Sequence, residues 1–145
     1  MATFKHVLAA TDFSEASGRA LEMACTIARD SGARLTVAHV AEVPTYTEFA
    51  APVDLVTPIT DLAETKLEEL LKSVRDVCPG VKGAVRVGAP WEQILAAAAE
   101  VGADLVVVGT HGRRGFAHAF MGSVAERVVR LSPIPVLTVR SRIPS

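Results

Sequence analysis

The 145-residue chain is one domain's worth of sequence, and its core must be built from Ala, Val, Leu and Ile: half of it is hydrophobic, yet it holds only five Phe, one Trp and one Tyr. A formal net charge of −1 supplies no overall field to gather nucleic acid or an anionic membrane. No apolar run reaches the length of a membrane span, the N-terminus lacks a signal-peptide pattern, and Cys25 and Cys78 match no metal or redox spacing, so a reducing cytoplasmic compartment is expected.

His6 to Ala10 (HVLAA) reads as a first strand. Asp12 and Ser14 are helix-capping types, and Glu15 suits a first helical turn. From Ser14 to Ser31 one stripe is polar, while Leu21, Ala24, Cys25, Ile27 and Ala28 form an apolar stripe rich in small residues; Gly32 ends the helix. Arg34 to Val40 is a second strand. Residues 41–57 show no period and contain Pro44 and Pro52, the mark of a long loop of the kind that forms lids or binding surfaces. Thr57-Pro58 is a cap and first-turn pair for a helix whose apolar positions are Ala63, Leu67, Leu70, Val74 and Val77, stopped by Pro79-Gly80.

Ala84 to Val87 is a weaker third strand, and WEQILAAAAEVG a third helix closed by Gly102. Asp104 to Gly109 is a fourth strand, and Gly122-Ser123 opens a helix running to Leu131. After Ser132-Pro133-Ile134-Pro135, Val136 to Arg140 is a fifth strand. Strict alternation predicts an α/β fold: a single domain with a five-stranded parallel sheet and helices on both faces. Ligands of such sheets bind beyond the carboxyl ends of the strands, where the strand order reverses. Asp12 and Gly109 both fall at such ends.

Between the fourth strand and fourth helix lies a glycine-rich loop with Gly109, Gly112, Gly115 and Gly122 and the pair Arg113-Arg114. Strand, glycine loop and helix N-terminus together form an anion site, because glycines admit close backbone approach and unpaired N–H groups favour negative charge. The loop is neither a Walker A motif, having no Lys-Ser or Lys-Thr after its last glycine, nor a dinucleotide fingerprint, since the first strand ends in TDFSE. The spacing Gly109-x2-Gly112-x9-Gly122-Ser123 resembles the signature of the ATP-binding branch of the universal stress protein family. HVLAATDFSEAS, VRVGAPWE, DLVVVGTHGRRG and GSVAERVVRLSPIPVLTVR resemble that family too, so the likeness covers almost the whole chain outside residues 41–57.

The resemblance implies a Rossmann-like fold of the adenine nucleotide α-hydrolase kind over residues 1–145, with ATP and Mg or Mn as ligands. Ala10 and Asp12 would border adenine and ribose, and Val40 would meet the adenine edge through its backbone. Gly109 and Gly112 would lie beside the ribose and first phosphates; Gly122, Ser123, Val124 and Ala125 would bind the outer phosphates. Alanine at 125, where some relatives have threonine, removes one side-chain contact. The cation would be held by phosphates rather than by a protein cluster. Relatives form dimers, which implies pairing of the apolar edge strand Val136 to Val139 with a second copy.

Simpler readings stand beside these. Asp12 alone reads equally as a cap, and Arg113 and Arg114 as solvated loop charges, with phosphate contact by Arg113 the sharper alternative. His111 and His118 lack partners at ligand spacing, His39 and Cys25 read as core, and Trp91 as a packing anchor. No catalytic constellation is visible. The leading function is an ATP-binding stress or signalling module with slow hydrolysis at most. An adenine-nucleotide hydrolase or transferase using Asp12 or His111 is the first alternative, and a dimeric interaction protein with an empty nucleotide site the second.

Overall fold

The computed structural model describes residues 3–42, 56–110 and 122–141. In chain order these form β1 (His6–Ala10), α1 (Glu15–Ser31), β2 (Arg34–Ala41), α2 (Val56–Arg75), β3 (Lys82–Val87), α3 (Pro90–Val101), β4 (Leu105–Gly109), α4 (Ser123–Leu131) and β5 (Val136–Val139). Every strand pair is parallel, in the order β3-β2-β1-β4-β5. The expected architecture is therefore present, a single domain with one five-stranded parallel sheet between two helical layers.

Two apolar cores flank the sheet, which is why the central strands read as continuous apolar runs. In β4, Leu105 and Val107 join the core beneath α1 and α2, while Val106 and Val108 join the core beneath α3 and α4. β1 divides likewise, with Val7 and Ala9 on the first side and Leu8 on the second. Each fully buried Val or Leu contributes about 1.5–3 kcal/mol. The alanine stripe of α1 (Ala20, Ala24, Ala28) lets its backbone approach the sheet closely. Gly83 does the same for α2: a Cβ there would fall 2.7 Å from Leu71 Cδ1.

The termini of the elements follow their residues. Ser14 caps α1, its Oγ accepting the Ser17 N–H, and Gly32 closes the helix at φ 67. Gly102 closes α3 at φ 71. The Asp104 carboxylate accepts the N–H groups of Lys5 at 2.9 Å and His6 at 3.0 Å, pinning the start of β1 to the entry of β4. Burial opposes ionisation of Asp104, but those two N–H donors, with its own backbone N–H and the neighbouring His6, together outweigh it and hold the carboxyl below its ordinary range.

Several boundaries and faces differ from expectation. α2 already includes Val56, so Thr57 is inside the helix rather than its cap, and the helix ends at Arg75, ahead of Pro79-Gly80. Its buried face is Ala63, Leu67, Leu71 and Val74; Leu70 is half-buried, and Val77, past the helix end, is exposed. A strip drawn through 63, 67, 71 and 74 follows the helical period as well as one through Leu70 does, and only the neighbouring β3 chooses between them. β3 begins at Lys82, two residues before the expected start, because its pairing with β2 already begins with Lys82 opposite Thr36. Most of the long loop at 41–57 lies outside the described residues.

From β1 the chain winds outward through β2 to β3, then returns to the other side of β1 as β4. The reversal therefore falls between β1 and β4, whose carboxyl ends are Ala10 and Gly109.

Candidate functional site

A cavity of about 700 Å³ opens at that reversal, within the usual range for small-molecule sites. Of the ten residues marked out by sequence, eight line it: Ala10, Asp12, Val40, Gly109, Gly122, Ser123, Val124 and Ala125. Gly112 and Arg113 lie outside the described residues, as do Arg114, Gly115, His111 and His118.

The wall supplied by β1 is a turn built by its own side chains. Thr11 Oγ1 accepts the Phe13 N–H at 3.0 Å, and Asp12 Oδ1 accepts the Ser14 N–H at 3.0 Å. The Thr11 and Ser17 hydroxyls meet at 3.1 Å, buried. Asp12 thus shapes the turn while Ser14 caps the helix, a division of labour that residue type alone left open. Phe13 stands at φ 64, and no other non-glycine described residue has positive φ. Its ring packs on that of His39 at 4.6 Å, and Lys66 Nζ lies 5.6 Å over it from α2.

The opposite wall comes from β4 and α4. A Cβ on Gly109 would lie 2.7 Å from the Ala16 carbonyl carbon, so this glycine is required by the close passage of α1. The Gly122 N–H donates to the Thr110 carbonyl, fastening the start of α4 to the end of β4. Gly122 is the N-cap of α4, and among the described residues no side chain caps that helix. Its first turn therefore brings to the cavity backbone N–H groups without a side-chain acceptor, whereas in α1 the Ser14 Oγ accepts the Ser17 N–H. Thr110 Oγ1 is buried in this wall without a hydrogen-bond partner among the described residues. Charged side chains on the cavity are Asp12, Glu42 and Lys66.

The profile of the universal stress protein family matches residues 3–140. The chain belongs to that family. A universal stress protein of Thermus aquaticus is 37% identical over 144 residues, covering 94% of this chain and 99% of that one. A second, of Methanocaldococcus jannaschii, is 35% identical over 89 residues, 61% of this chain, and the matched stretch spans 55% of that protein's length. Among solved structures, a universal stress protein in complex with cAMP is similar at 27% identity with a TM-score of 0.73, over 97% of this chain and 99% of that one.

Within this universal stress protein fold, several cavity residues were not legible in sequence. His39, read as core, is buried and also lines the cavity, its Nδ1 2.8 Å from the Thr11 carbonyl oxygen. Ser17 had a signal in principle: a hydroxyl on the apolar stripe of α1 needs a polar neighbour when buried. Phe13 and Lys66 had none, because nothing local relates a residue of the first turn to one of α2. Cys25 and Cys78 also meet, Cys78 Sγ approaching the Cys25 carbonyl oxygen at 3.7 Å, although their separation in sequence hides it. Trp91 packs against the second core and lies under the Arg127 guanidinium at 5.9 Å.

Proposed function

We propose that this chain binds an adenine nucleotide, ATP with Mg or Mn being the expected form, as a nucleotide-dependent stress-response or signalling module of its family. The observation that carries the reading is the convergence on one cavity of three separate strand ends and an uncapped helix N-terminus. Asp12 and Val40 stand at the end suited to ribose and base, and Ser123, Val124 and Ala125 at the end suited to phosphates. The residues present fit such a ligand. The first turn of α4 and the Thr110 hydroxyl, which has no partner among the described residues, are donors that acceptor oxygens would satisfy, and an anion satisfies donors best. The cation would sit between phosphate oxygens rather than in a cluster of protein ligands. The cAMP complex of a similar family member supports a nucleotide rather than another anion.

On this reading the protein binds, and hydrolysis is slow at most. β5 is an edge strand of the sheet, and pairing it with a second copy would cover Val136, Leu137 and Thr138. The two free, buried cysteines suit a reducing cytoplasm. The direct test is to denature the purified protein and identify what it releases, then titrate the emptied protein with ATP. Release or uptake of adenine nucleotide supports the reading; an empty protein that also refuses ATP contradicts it.

A further inference from the structure

We propose that Phe13, held by His39 and Lys66, is the positioning residue of this site: it holds the turn that aims Asp12 into the cavity. The inference rests on the nucleotide reading above and adds to it how the ribose end is kept in register. At φ 64 Phe13 occupies a backbone region that a bulky residue avoids, and such conformations persist only where surrounding structure over-determines them. The surroundings here come from three separate elements. β2 contributes His39, whose ring packs tilted against that of Phe13 with centroids 4.6 Å apart and whose Nδ1–H donates to the Thr11 carbonyl at 2.8 Å, one residue before Asp12. α2 contributes the Lys66 ammonium over the ring. α1 contributes Ser17, whose Oγ accepts the Asp12 N–H at 3.4 Å and meets the Thr11 hydroxyl.

Together the contacts hold the Thr11 carbonyl and hydroxyl, the Asp12 N–H and the Phe13 ring, so the turn is fixed on both sides of Asp12. Were Phe13 to relax to negative φ, the peptide planes on both sides would rotate, carrying the Asp12 carboxylate away from its bond to the Ser14 N–H. Phe13, His39 and Lys66 all line the cavity, so the clamp and the proposed ligand share one wall. The aromatic ring is thus a conformational weight, and the residue's work is done through its neighbour.

The test separates the ring from the backbone angle. In Phe13→Ala positive φ remains unfavourable and the contacts that hold it are lost, so the turn relaxes; Phe13→Gly and Phe13→Asn lose the ring but tolerate positive φ. ATP affinity is expected to fall about tenfold in Phe13→Ala and to return to within about twofold of wild type in Phe13→Gly or Phe13→Asn. Inorganic tripolyphosphate, which lacks the ribose and base, is expected to compete with ATP as well on Phe13→Ala as on wild type. Phe13→Ala binding ATP like wild type would overturn the proposal. So would Phe13→Gly and Phe13→Asn, checked as folded by circular dichroism, binding as weakly as Phe13→Ala or, if Phe13→Ala does not fold, more than about fivefold below wild type. A parallel loss of tripolyphosphate would overturn it too, by showing general disruption. Failure of the wild type itself to bind ATP is a different result and removes the underlying reading instead.

Discussion

Gly109 and Ala16 meet backbone to backbone: a Cβ on Gly109 would fall 2.7 Å from the Ala16 carbonyl carbon and 2.8 Å from its oxygen. The first glycine of the loop motif is therefore a packing glycine of the fold. Gly109→Ala forces α1 away from β4, and overpacking of this kind costs about 1–3 kcal/mol. Gly18, inside α1, is the matched control, since a Cβ there meets nothing within 4 Å. Gly18→Ala is expected to raise stability by about 0.5–1 kcal/mol. Urea unfolding of both variants checks the pair, and equal midpoints for the two would refute the contact.

Ser14 ends the β1–α1 turn and supplies the cap of α1, with the Ser17 N–H at 3.3 Å and the Ser17 hydroxyl at 3.3 Å from its Oγ. Ser14→Ala removes both and is expected to cost about 1 kcal/mol, or about 3 °C in thermal midpoint. Ser14→Asp, which also caps, should recover most of the loss. Thermal unfolding followed by circular dichroism reads this directly.

The Cys25 thiol is pushed up to about 12, first by burial and then by the neighbouring Cys78. In the unfolded chain a cysteine ionises at about 8.5. Below that pH both states hold the proton, so the shift has no effect on stability. Above it the unfolded chain loses the proton while the folded one keeps it, so stability falls from about pH 9 towards pH 12. Denaturation midpoints at pH 8 and pH 10 should therefore differ, and Cys25→Ala should reduce the difference. A chromogenic disulfide reagent at pH 8 should find both thiols unreactive until the protein unfolds, since each is buried.

Most of the fold was legible because its signals are local. Gly32 and Gly102 end helices at positive φ, and Ser14 starts one, each readable from a few adjacent residues. The buried strip of α2 was not, because Leu70 and Leu71 are equally apolar and only packing on Gly83 selects the latter. The same division runs through the site. Asp12, Gly109 and Gly122 carry turn or motif information, whereas His39, Lys66 and Thr110 enter the cavity through tertiary placement. Strand order decides which strand ends become neighbours, and no stretch of sequence states that order.

The central claim is that the first turn of α4 receives the phosphates of an adenine nucleotide. Gly122 is its N-cap at φ −61, an angle open to any residue, so a substitution there is not excluded by backbone strain. Gly122→Val adds a branched side chain where phosphate must approach and should leave the sheet intact. The decisive measurement is calorimetric titration of emptied wild type and Gly122→Val with ATP and magnesium. Saturable binding by the wild type, weakened about tenfold or more in the variant, is the predicted result. A wild type that takes up no ATP, or a variant that binds it equally well, would contradict the account.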